Sequence, residues 1–119
     1  MNSELKKFLA TCVLAVLTLL VATFFWDNLA VSVPLLLVIG LLMLGVDWNA
    51  KNAMYYLIVF ISGPLAESVA IHFGAWTYAQ PVFIGIPLWL PFVWGNAGLY
   101  VLRLKSFIDL VFLPHKSSK

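Results

Sequence analysis

Residues 53–73 read AMYYLIVFISGPLAESVAIHF, and this stretch decides the class of fold. It is apolar almost throughout and long enough to cross a bilayer, which takes about 20 mostly apolar residues. Three further stretches meet the same requirement: residues 8–26 (FLATCVLAVLTLLVATFFW), 29–46 (LAVSVPLLLVIGLLMLGV) and 82–102 (VFIGIPLWLPFVWGNAGLYVL). The connections 27–28, 47–52 and 74–81 are short, so consecutive spans should run antiparallel. The expected fold is all-α: an integral membrane bundle of four transmembrane helices, forming a single domain over residues 1–119.

Composition points the same way. Of 119 residues, 63% are hydrophobic and 10% charged, with a mean hydropathy of +1.01. An ordinary soluble domain is about half apolar and about a quarter charged. The natural partner is the lipid bilayer, and a net charge of +2 gives no basis for a nucleic-acid partner. Cys12 is the sole cysteine, so no internal disulfide forms. In an apolar run its thiol behaves as a small hydrophobe. No cysteine and histidine set has zinc-site spacing. No nucleotide-binding or nucleophile motif appears, and neither a metal nor a cofactor is expected.

Lysine and arginine placement orients the bundle. Lys6 and Lys7 precede the first span, Lys51 lies between the second and third, and Arg103, Lys105, Lys116 and Lys119 follow the fourth. The other two connections hold none. All seven fall on one side, which predicts cytoplasmic N and C termini in a multi-pass cell-membrane protein of the bacterial inner-membrane type. Trp26, Trp76 and Tyr78 then fall at the outer boundary, and Trp48, Tyr55, Tyr56 and Tyr100 near the inner one, where amphipathic rings favour the headgroup level. Lys6-Lys7 and the apolar run after them resemble a signal sequence, but no small-x-small site follows Trp26, so residues 8–26 read as a retained span. Residues 106–113 (SFIDLVFL) are too short to span and are expected as a short interfacial helix ended by Pro114. A basic tail follows.

Glu67 is the one carboxylate well inside an apolar segment. An ionisable group at membrane depth is costly and marks a functional-site hypothesis. It lies 14 residues in from Ala53, about 21 Å along a helix. Gly63, Glu67, Ala70 and Gly74 follow i, i+4, i+7, i+11 spacing, with Ala66 on the same side. Small residues mark the surface where membrane helices approach, so Glu67 should face another helix. Pro64 removes a backbone donor and should kink the helix. At the depth of Glu67 the fourth span should present Trp89, Pro91 and Trp94. A carboxyl among indoles and apolar groups favours its neutral form, which makes Glu67 a candidate proton donor. His72, on another side of the helix and near the outer boundary, is a candidate proton relay. Trp76, Tyr78, Trp89 and Trp94 are candidates to line an apolar substrate. Asn96, a turn or two nearer the cytoplasm, completes that set. The uncharged, aromatic connection 74–81 (GAWTYAQP) is expected to lie at the headgroup level or fold over the bundle as a lid. Pro87, Pro91, Gly85, Gly95 and Gly98 should make the fourth span irregular.

Glu67, the cluster Gly74-Ala75-Trp76-Thr77-Tyr78, and Gly85-Ile86-Pro87 followed by Pro91 and Trp94 resemble the intramembrane carotenoid cyclase and carotenoid hydratase families. The resemblance covers about a quarter of the chain. It implies a polyisoprenoid substrate to which Glu67 adds a proton, and a subunit that pairs with another membrane subunit. Where the cyclases have Pro-x-Glu-Glu on the following span, this chain reads Pro91-Phe92-Val93-Trp94, without the second acid.

Three functions are therefore set side by side. In the first, the protein is an intramembrane enzyme subunit acting on a polyisoprenoid or related lipid, alone or in a homo- or hetero-oligomer. In the second, it is a scaffold or accessory subunit whose Glu67 is interhelical hydrogen-bond glue. In the third, it is a proton-coupled transporter built by oligomerisation.

Overall fold

The computed structural model describes residues 2–112. They form four helices: α1 (Asn2–Phe25), α2 (Leu29–Val46), α3 (Ala50–His72) and α4 (Leu90–Phe112). Three of these segments, Ser3–Phe25, Leu29–Val46 and Ala50–His72, are long and apolar enough to cross a membrane. The fourth is as long as α3, but Arg103, Lys105 and Asp109 break its apolar character. The exterior is apolar to match. Leu19, Leu41, Ile61, Leu65 and Val69 are all more than half exposed, as expected of helices solvated by lipid rather than by water.

Local sequence explains the boundaries. Asn49 caps α3, its Oδ1 accepting from the Asn52 N–H at 2.8 Å. The helix ends in a Schellman motif. The Gly74 N–H bonds the Ile71 carbonyl and the Ala75 N–H bonds the Ala70 carbonyl, each at 3.0 Å. Gly74 supplies the left-handed φ of 86° that this cap requires. It therefore terminates the helix and takes no part in helix packing, unlike Gly63 further back on the same stripe.

The fourth helix departs from expectation at both ends. Residues 82–89, read as the start of a span, are not helical. A helix running through them would need N–H groups at positions 87 and 91, and both are proline. Pro91 is instead accommodated in the first turn of α4, where a missing donor costs nothing. At its far end α4 continues to Phe112, so the interfacial segment expected at 106–113 is the C-terminal part of α4 as far as it is described. Residues 113–119, with Pro114 and the basic tail, lie outside the described residues.

Packing follows chain order only in part: α1 packs on α2 and α3 on α4. α4 packs on α1, α2 and α3, whereas the consecutive helices α2 and α3 share little surface. Val21, Leu36, Ile39, Met43, Tyr56 and Leu99 form the buried core. At its centre lies Asn96, fully buried. Its amide donates to Thr18 Oγ1 at 3.1 Å and to the Leu36 carbonyl at 3.2 Å, and its Oδ1 accepts from the Tyr56 hydroxyl at 3.1 Å. Tyr56, expected near the membrane boundary with Tyr55, is thus drawn into the bundle interior by a hydrogen-bond partner. Toward the other end of α4, buried Arg103 donates to Glu4 Oε1 at 2.9 Å and to Asp47 Oδ2 at 2.8 Å. Lys7 flanks the same two carboxylates at 3.6 and 3.8 Å. Phe8 stacks on Phe107 beside this cluster, with centroids 4.4 Å apart.

Candidate functional site

Helix register brings Glu67 to the interior. Tyr56, Phe60, Gly63 and Glu67 follow a 4-3-4 spacing, so they lie along one face of α3. That face meets α4 closely enough at Gly63 that any side chain there would overlap the Trp94 ring. At Gly98 an added Cβ would sit 3.0 Å from Val59. This antiparallel register sets the first residue of α4 about level with Glu67. The missing outer turns of α4 are replaced by the connecting segment 73–89.

The carboxyl of Glu67 is held on both oxygens. The Tyr78 hydroxyl donates to Oε1 and the Trp94 indole N–H donates to Oε2. Three separate segments thereby converge on one half-buried acid. The two partners are chemically unlike. An indole N–H only donates, whereas a phenol can donate or accept. A protonated carboxyl keeps acceptor capacity on both oxygens, so a neutral Glu67 can hold both donors and still have its own O–H to give. Burial first, then the hydrogen bond and charge of Glu67, push the Tyr78 hydroxyl up to about 12, with the Trp76 side chain opposing in part. Tyr78 consequently stays protonated and serves as the donor to Oε1.

The segment 73–89 is fixed by a tight turn. Phe83 and Ile86 exchange backbone hydrogen bonds at 2.8 and 3.3 Å. The two residues between them, Ile84 and Gly85, have φ of 46° and 80°. Positive φ at both centres is type I′ geometry. It is unusual for a β-branched residue and stores strain of order 1–3 kcal/mol. Two contacts hold it. The Ser68 hydroxyl donates to the Ile84 carbonyl at 2.9 Å, and a Cβ on Gly85 would come within 2.9 Å of Ile71. The hairpin lies beside the last turns of α3 rather than beyond them.

The structure brings together Glu67, Tyr78 and Trp94, with Trp89 edge-on to Tyr78 at 5.9 Å. Trp89 also packs against the core, and its buried indole N–H makes no hydrogen bond among the described residues. Pro91 lies at a neighbouring apolar groove. His72 is exposed, stacks edge-on with Phe73 at 5.0 Å, and is not joined to Glu67. Trp76 is 45% exposed at the outer end. Asn96 serves the core network described above and does not reach Glu67. Trp94 also walls a shallow groove of about 510 Å3 between α3 and α4, lined by Tyr55, Val59, Gly63, Ala66 and Gly98. Sequence reasoning missed Ser68, whose hydroxyl sits one residue after Glu67 and anchors the turn. Among the described residues, no group of three His, Cys, Asp or Glu side chains gathers to hold a metal. No protein-family model, curated protein or solved structure matches this chain.

Proposed function

We propose that this is a small integral membrane subunit that donates a proton from Glu67 to an apolar lipid of the polyisoprenoid class. The observation that supports it is the convergence of Tyr78 and Trp94 on the two oxygens of one intramembrane carboxyl. In the forward step the Glu67 O–H bond breaks and a C–H bond forms at one end of a lipid double bond. The electron pair of that double bond is consumed, leaving a carbocation. The new carboxylate is received by the Trp94 and Tyr78 donors already in place. The faces of Trp89, Trp94 and Tyr78 are available to stabilise the cation, since ring quadrupoles attract positive charge. A second double bond of the chain then attacks the cation, forming the ring C–C bond, and the cyclised cation gives up a proton to the Glu67 carboxylate as a new double bond forms. Alternatively, water adds to the cation and the resulting oxonium returns its proton to that carboxylate, giving an alcohol. The substrate class rests on the resemblance to carotenoid cyclases and hydratases. Both termini then face the cytoplasm, because all seven Lys and Arg fall on one side of the spans. A second membrane subunit is the natural source of the acid that the Pro91-Phe92-Val93-Trp94 stretch lacks.

A second reading is favoured by a specific observation: both Glu67 oxygens are already occupied by protein donors. A scaffold or accessory subunit would use this arrangement to latch the 73–89 segment and α4 onto α3.

Glu67→Gln separates the two readings. Glutamine can accept from Trp94 through its carbonyl and donate to Tyr78 through its amide, so the latch survives while the acid is lost. The chain and this variant are expressed in lycopene-accumulating cells, and the extracted pigments are separated by chromatography. A new cyclised or hydrated product from the wild type alone supports proton donation. Unchanged pigments from both proteins, each confirmed in the membrane, favour the latch.

A further inference from the structure

Two grooves meet at Ile84, on a stripe of α3 that excludes Glu67. Ile61, Leu65, Ser68 and His72 follow i, i+4, i+7, i+11 spacing along that stripe. The first groove, of about 480 Å3, is lined by Ser68, Val69, His72, Phe73, Ile84 and Gly85. The second, of about 250 Å3, is lined by apolar side chains, among them Phe60, Leu65, Val82, Phe83, Pro87 and Leu88. Ile84 lines both, so a polar-edged opening continues into an apolar trough.

The polar end offers donors. The Ile84 and Gly85 N–H groups make no hydrogen bond among the described residues, and the His72 ring carries an N–H in either protonation state. Ser68 spends its hydroxyl proton on the Ile84 carbonyl, which fixes the turn and leaves its two central donors free. No Asp or Glu lines either groove. His72 lies in the last turn of α3, at the end of a membrane-crossing helix. Phe60 lies 12 residues back along that helix, about 18 Å deeper. Donors at the headgroup level, above a trough descending along an apolar stripe, match a molecule with acceptor oxygens at one end and a hydrocarbon chain at the other.

We propose that this composite groove binds one phospholipid of the surrounding bilayer. Its phosphodiester oxygens accept from His72, Ile84 and Gly85, and one acyl chain lies between the Phe60–Leu65 stretch and the hairpin. The site is separate from Glu67 and does not depend on its chemistry.

Native mass spectrometry of the full chain, released from detergent, tests it. Three lipids are supplied in turn: phosphatidylglycerol, diacylglycerol with the same chains, and a polyprenyl phosphate. Phosphatidylglycerol should be retained about tenfold more than diacylglycerol, the scale of a charge-assisted hydrogen bond. His72→Ala should lower that retention about tenfold with an unchanged melting temperature, and His72→Gln, which keeps an N–H, should restore most of it. Equal retention of diacylglycerol, unaltered binding by His72→Ala, or retention of the polyprenyl phosphate alone would overturn the proposal.

Discussion

Asn96 Nδ2 donates to Thr18 Oγ1 across 3.1 Å, although the two residues are 78 positions apart in the chain. Through its other bonds the same side chain joins α4 to α2 and α3. Asn96→Leu removes all of these bonds and leaves the buried Tyr56 hydroxyl without its partner. Interhelical hydrogen bonds in membranes average about 0.6 kcal/mol and reach about 1.7, so the variant should lose about 2 kcal/mol. Unfolding in mixed micelles with increasing dodecyl sulfate measures this, and an unchanged midpoint would deny the network its structural role.

Arg103 is the buried member of its charge cluster, 8% exposed, while its carboxylate partners are partly open to solvent. Removing the open partners should therefore hurt more than removing the arginine. The double variant Glu4→Gln/Asp47→Asn strands a buried cation and should cost about 3 kcal/mol. Arg103→Met leaves two carboxylates that water can reach, and should cost about 1 kcal/mol. The same unfolding assay ranks them, and the reverse order would refute the asymmetry.

Gly63→Ala places a methyl group where the Trp94 ring lies. The ring must move, and its N–H then leaves Glu67. A loss of about 2–3 kcal/mol is expected from overpacking. Gly98→Ala, whose Cβ would meet Val59 at 3.0 Å, should cost less because that overlap is milder than the one with the Trp94 ring at Gly63. Equal effects at the two positions would show that the α3–α4 contact is looser than described.

Tyr78→Phe keeps the ring against Trp89 but removes the hydroxyl from Glu67. The 73–89 segment should then exchange its amide hydrogens about tenfold faster, the equivalent of one lost hydrogen bond. Helices α1 and α2 should be unaffected. Hydrogen exchange read by mass spectrometry resolves the two regions, and uniform acceleration would mean that the bond supports the whole bundle.

Much of this was legible in the sequence because it depends on single-residue physics. Apolar length marked four spans, of which three are helices long and apolar enough to cross a membrane, and the 4-3-4 register turned Glu67 toward α4 and Trp94. Tyr78 was recognised as a candidate, though its reach back to Glu67 was not, because a connecting segment has no period from which to read direction. The break at residues 82–89 was written in Pro87 and Pro91, but their effect depends on whether an apolar run needs to be helical throughout. The surrounding protein decided that here, through Ser68 and Ile71. Arg103 illustrates a different limit. Its position on the chain fixes a topology signal, yet Glu4 and Asp47 lie 99 and 56 positions away, and only the packed bundle brings them to it.

Because α4 contacts each of the other helices, the element that joins the bundle is the last to be made. Synthesis from the N terminus makes α1, α2 and α3 first, and among the described residues these are the helices long and apolar enough to cross a membrane. Until α4 emerges, Tyr56 lacks Asn96, Glu67 lacks Trp94, and Glu4 and Asp47 lack Arg103. The polar groups on the first three helices thus wait for the last one to answer them.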